Sequence, residues 1–124
     1  MDKGQALQSF WQSFSVPAYD ESTVPTGANA PELPYITYQA VFDSLGNPVS
    51  MTASVWDRSS SWQSVSELTK RISEYIGFGR VIEIDGGFLW IKRGTPFAQR
   101  MGDEIDNSVR RMVINIAAEY LTAN

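Results

Sequence analysis

From Ser108 to Leu121 the chain reads SVRRMVINIAAEYL, and Met112, Ile114, Ile116, Ala118 and Tyr120 alternate there with Val113, Asn115, Ala117, Glu119 and Leu121. Apolar residues at every second position line one face of a β-strand, whereas a helix would scatter them around its circumference. A strand of about a dozen residues is longer than the usual five or six and suits the centre of a sheet. The rest of the chain must therefore supply partner strands and something to cover the apolar face.

Partner strands are legible upstream. Pro34 to Asp43, PYITYQAVFD, places Ile36, Tyr38, Ala40 and Phe42 on one face and Tyr35, Thr37, Gln39 and Val41 on the other. After the turn region Ser44 to Pro48, Val49 to Arg58 alternates Val49, Met51, Ala53 and Val55 against Ser50, Thr52, Ser54 and Trp56, so the two runs predict a β-hairpin. The hydroxyl-rich face, with Trp56 as its one large side chain, suits a surface turned to solvent or to a neighbour. Arg80 to Asp85, the Asp85-Gly86-Gly87 turn and Phe88 to Arg93 predict a second hairpin, and Gly94-Thr95-Pro96 is expected to break the returning strand. Gly94 to Asn107 then reads as a long polar turn region between that strand and the last one.

Two helices are expected. Trp62, Val65, Leu68, Thr69, Ile72, Tyr75 and Ile76 recur three or four apart, after N-cap candidates at Ser59 to Ser61 and before the stop at Gly77. Met1 to Phe14 carries Leu7, Phe10, Trp11 and Phe14 at helical spacing with Asp2 to cap it, a stripe that suits a cover for the sheet better than an exposed docking helix. Residues 15–34 hold Pro17, Pro25, Pro31 and Pro34, so no helix or central strand is expected there. That connection reads as lying outside the main core, either packed on the surface or as an arm to a neighbouring subunit. The sum is one domain over 1–124 of α+β class, a largely antiparallel sheet with helices on one face and the element order α-β-β-α-β-β-β.

Composition removes whole classes of chemistry. With no cysteine and no histidine, disulfides, thiolate metal sites, cysteine nucleophiles, histidine bases and serine–histidine triads are all excluded. A net charge of −4 disfavours nonspecific grip on a phosphate backbone, which needs a basic surface. No apolar run has the length to cross a bilayer and no leader pattern opens the chain, so synthesis in the cytoplasm is expected. Gly77-Phe78-Gly79 and Gly86-Gly87 lack the Lys-Ser or Lys-Thr that a phosphate loop requires.

The polar middle of Gly86 to Leu121 is where a partner is expected. Asp103, Glu104 and Asp106 are clustered, but neighbours on a glycine-flanked loop lack the rigid separation that a glycosidase pair or a magnesium site demands. Arg93, Arg100, Arg110 and Arg111, with Trp90 and Phe97, resemble a stacking patch for nucleic acid, yet three acids sit among them. Alternating charge suits a protein contact, and the candidate interface is Trp56, Trp90, Arg93, Phe97, Arg100, Asp103, Glu104, Asp106 and Arg110. No catalytic, cofactor or metal residue is assigned.

The segments PYITYQ, VSMTASVWDRSSSW, GFLWIKRGTPFAQRM and RRMVINIAAEYLTAN resemble a tail protein of long-tailed phages and prophages, nearest to the tail terminator family, over about residues 8 to 124. The resemblance implies a structural virion subunit, not an enzyme, that forms a homo-oligomeric ring, a hexamer, without cofactor. It implies a ring that caps the tail tube at its head-proximal end, stops addition of the major tail tube protein and meets the head–tail connector protein. DNA would pass through the lumen without specific binding. Two other readings stay open: a head-side connector or head-completion adaptor, and a small carboxylate-dependent enzyme or binding domain.

Overall fold

The computed structural model describes residues 1–102 and 108–124. In chain order these form α1 (Lys3–Gln12), β1 (Ala18–Asp20), a turn of 3-10 helix (Gly27–Asn29), β2 (Tyr35–Tyr38), β3 (Val49–Arg58), α2 (Gln63–Ile76), β4 (Arg80–Ile84), β5 (Gly87–Gly102) and β6 (Val109–Thr122). The strands make one sheet in the order β1-β2-β3-β6-β5-β4. The long alternating run is indeed central, with β3 on one side and β5 on the other. Neither helix is long and apolar enough to cross a membrane.

Register explains how one face became the core. Met51 pairs with Ile116, Ala53 with Ile114 and Val55 with Met112, while Leu89 pairs with Tyr120 and Ile91 with Ala118. Directly opposed residues share a face, so these ten side chains form one apolar surface. They are buried together with Leu7, Phe10 and Trp11 of α1 and Val65, Leu68, Ile72 and Ile76 of α2. Both helices therefore cover the same face, as the apolar stripes require. The α+β class and the placement of the helices are as expected.

Capping sets where α1 starts. The Asp2 carboxylate accepts from the Gln5 N–H at 2.8 Å and the Gln5 side chain accepts from the Asp2 N–H at 2.9 Å, a reciprocal pair that satisfies orphan donors of the first turn. From there α1 runs from one sheet edge to the other. Met1 exchanges with the β4–β5 turn, its ammonium 3.1 Å from Asp85 and its carbonyl accepting from the Asp85 N–H. Gln8, two turns on, donates to the Ala18 carbonyl of β1 and accepts from the Tyr38 hydroxyl. The sheet curls around this helix.

Four expectations are corrected. The sheet is mixed, because Ala18–Asp20 of the proline-rich connection pairs in parallel with β2, and Ala18 is buried in the core cluster. An edge strand needs donors on only one side, so three residues between Pro17 and Pro25 suffice, and the Pro17 carbonyl adds a bond from the Ile36 N–H. That segment belongs to the sheet and the order gains one strand.

The strand expected over Pro34 to Asp43 ends at Tyr38, since beyond it side chains replace ladder partners. The Gln39 N–H still donates to the Thr52 carbonyl, but the Thr52 N–H turns to the Gln39 side chain, and the Val41 N–H meets the Met51 sulfur at 3.4 Å. The hairpin connection is therefore longer than Ser44 to Pro48. The first helix is also shorter than Met1 to Phe14, with Ser13 as its C-cap.

The fourth correction is the largest. Gly94-Thr95-Pro96 does not end β5, which runs on to Gly102 through a register shift between Arg93 and Ala98. Proline is tolerated at such a bulge because no ladder donor is needed there. The Asn115 side-chain amide donates to the Pro96 carbonyl at 2.9 Å, and a Cβ at Gly94 would lie 2.8 Å from the Asn115 carbonyl oxygen, so only glycine lets the strands close up. The polar turn region Gly94 to Asn107 is thus mostly strand as far as it is described.

Tyr120 sits at the heart of this arrangement. Its hydroxyl donates to the Val41 carbonyl, Lys3 lies over its ring at 5.3 Å, and burial pushes its pKa up to about 12. The folded chain holds this proton more tightly than the unfolded chain, whose tyrosines titrate near 10. Its contribution to stability is complete below about pH 10 and is lost as pH rises from about 10 to about 12. Tyr120→Phe is expected to remove that part of the alkaline loss, read as a flatter dependence of the urea midpoint on pH across this window.

Candidate subunit interface

Two clusters of aromatic and cationic side chains lie on opposite faces of the sheet. On the face away from the helices, Trp56 of β3 pairs across the ladder with Arg111 of β6 and with Tyr35 of β2. The Trp56 indole N–H donates to the Thr37 hydroxyl at 3.0 Å, and the Arg111 guanidinium lies 4.7 Å from its ring centre while its Nε donates to the Ser54 hydroxyl. Tyr35 continues the row, 6.4 Å from Trp56 and edge-on to Tyr19 at 5.9 Å. Cation–π stacking and hydrogen bonds hold these side chains in one arrangement, which lowers the entropy a partner would have to remove.

Further along the same face the surface becomes apolar. Val81 pairs with Trp90 and Phe88 with Leu121, and the exposures of Val81, Phe88 and Leu121 are 57%, 48% and 41%. Lys92 lies 4.0 Å from the Trp90 ring centre and forms a 3.0 Å ion pair with Glu119. That pair is partly shielded, so a charged boundary of fixed orientation flanks the apolar corner. Such a corner, rimmed by paired charge, is the pattern of a contact surface.

The second cluster lies on the helix side, at the start of α2. Arg100 and Arg110 stand 5.1 Å and 5.3 Å from the ring centre of Trp62, and Arg110 donates to the Ser60 carbonyl. Their placement follows from the bulge, which sets Arg100 opposite Met112 on the core-facing side of β5. Ser61 supplies the nearby turn, its hydroxyl accepting from the Gln63 N–H at 3.0 Å. Asp57 accepts from the Ser64 hydroxyl and so ties β3 to the same end of α2.

The residues expected from the sequence are thus divided. Trp56 and Trp90 lie on the open face, opposite Arg111 and Glu119 of β6 respectively. Arg93, whose guanidinium donates to the Ser73 hydroxyl, Phe97, packed against the core, Arg100 and Arg110 lie on the helix side. Asp103, Glu104 and Asp106 fall outside the described residues. The expected set therefore falls on two surfaces, Trp56 and Trp90 on one and Arg93, Phe97, Arg100 and Arg110 on the other, because successive residues of a strand point to opposite faces.

Arg111, Tyr35, Trp62, Val81, Phe88, Leu121 and Phe78 were not among the expected interface residues. The signal for Phe78 was in the sequence: a large aromatic between two glycines, in a turn too short to bury it. The open-face row needed the register. Family models, curated proteins and solved structures were all compared with this chain, and none matched.

Proposed function

We propose that the chain is a structural subunit of a long-tailed phage or prophage virion, a tail terminator that assembles into a hexameric ring on the finished tail tube. In this role it halts addition of the tail tube protein and offers a surface to the head–tail connector, at the head-proximal end of the tail. The observation that carries the reading is the open sheet face: Val81, Phe88 and Leu121 are exposed beside Trp90, and fixed cation–aromatic pairs flank them. A ring of identical subunits needs two different patches per copy, and the separate helix-side cluster around Trp62 supplies a second. Mixed charge gives such contacts register and choice of partner.

Electron microscopy of particles made without this protein tests the role. Overlong or headless tails are expected; filled heads that leak DNA or lack tails would instead assign it to the head side, and normal particles would end the virion reading. At the residue level, Arg100 is exposed, so Arg100→Glu is expected to leave the monomer folded while lowering association at the tail end, measured by light scattering and by tail length. Normal scattering and normal tail length in that variant would remove the Trp62 cluster from the contact.

A further inference from the structure

Phe78 is the most exposed large apolar side chain among the described residues, at 101%. It stands between Gly77 and Gly79, whose φ values of +56° and +145° are conformations that side chains disfavour, so the α2–β4 turn holds the ring outward at no steric cost. Gly79 itself lies against the Trp90 indole, where a Cβ would come within 2.4 Å of Nε1. The turn therefore lies against Trp90 of the open face, whose apolar corner carries Val81, Phe88 and Leu121, and Phe78 adds a second exposed phenylalanine. The two phenylalanines alone expose roughly 300 Å², with each ring able to bury about 150–250 Å². A standard interface hides about 800 Å² per partner, so this corner supplies a large share of one.

An apolar-floored cleft lies elsewhere on the molecule. Between α2 and the β2–β3 side of the sheet lies a cleft of about 530 Å³ whose floor is Val16, Pro34, Val55, Val65 and Leu68. Charges of both signs rim it, Glu67 and Lys70 among them, and the exposed Arg80 follows the knob by two residues. The apolar floor can desolvate an aromatic ring, and the mixed rims can pair with the knob's neighbours in one orientation. Knob and cleft are different patches, so a contact between them repeats from copy to copy and closes into a ring or runs on as a filament.

We propose that Phe78 of one copy seats in the α2–β3 cleft of the next, joining copies of this chain head to tail. Closure into a ring rests on the function proposed above, whereas the contact itself does not. Sedimentation velocity on the full chain, with circular dichroism to verify folding, tests it using two variants at exposed positions: Phe78→Ser removes the knob, and Glu67→Trp overfills the cleft. Wild type is expected to assemble, and each variant to dissociate at concentrations about thirtyfold higher, as for loss of an aromatic anchor. An equal mixture of the two is expected to give a dimer and nothing larger, since one intact knob then meets one intact cleft. Phe78→Ser assembling like wild type would overturn this contact and leave the ring standing. A mixture that stays monomeric would overturn the head-to-tail pairing. Wild type that is monomeric at every concentration would overturn the contact, whereas the ring on the tail tube is judged by the particles made without the protein.

Discussion

Trp11→Ala is expected to lower stability by about 3–5 kcal/mol, the range for removing a large buried aromatic. Trp11 is buried to within 1% and packs edge-on against Phe10 at 4.8 Å, stacks on Tyr38 at 6.4 Å and lies 6.4 Å from Phe14. Phe10 and Phe14 in turn reach Tyr75 of α2. The indole therefore joins both helices to β2, and α1 is the element around which the sheet curls. A cavity at this point cannot collapse without moving a helix or β2. A domain of this size is stable by about 5–15 kcal/mol, so the variant is expected near the margin of folding. A urea titration with an unchanged slope and a midpoint lowered by less than a fifth of the wild-type value would place the helix–sheet junction elsewhere.

Gly87→Ala is expected to cost about 3 kcal/mol or more, although it adds a single methyl group. Gly87 faces Thr122 in the ladder, and a Cβ there would sit 1.9 Å from the Leu121 carbonyl oxygen and 3.2 Å from the Thr122 methyl. The obstacle is backbone on a central strand, so β5 and β6 must separate before the methyl fits. Gly86, the preceding residue, has a φ of +79° but nothing within 4 Å of its added Cβ. Gly86→Ala is therefore a control that carries only the conformational penalty, about 1 kcal/mol. Hydrogen exchange is expected to show Gly87→Ala freeing the amides of β4 and the start of β5 first, with the β2–β3 ladder still protected. Equal destabilisation by the two substitutions would mean that the close approach is not what demands glycine at 87.

Much of the fold was legible because its signals are local. The alternation of Met112 to Tyr120, the three-to-four spacing of Val65, Leu68, Ile72 and Ile76, and the Asp2 cap each depend on a few neighbouring residues, and each stands where expected. Errors arose where a local breaker met a non-local remedy. Pro96 reads as a strand end, yet a bulge and the Asn115 amide, nineteen residues away, carry β5 across it. Gln39 and Val41 read as strand, yet the Thr52 N–H bonds to the Gln39 side chain and the Val41 N–H to the Met51 side chain. The short β1 was hidden among prolines because an edge needs so little to pair.

The members of the expected interface fall on two faces, which residue type alone does not record. Arg93, Arg100 and Arg110 share a side with α2, while Trp56 and Trp90 share the other side with Arg111, Phe88 and Val81. Residue types alone determined that this chain has one core-facing set per element, two amphipathic helices and no thiol or imidazole chemistry, because burial pattern and composition are properties of the chain itself. Only the tertiary structure decided which side chains meet. Strand register and the bulge assign each residue to a face, and those pairings join positions tens of residues apart whose matching no local spacing records.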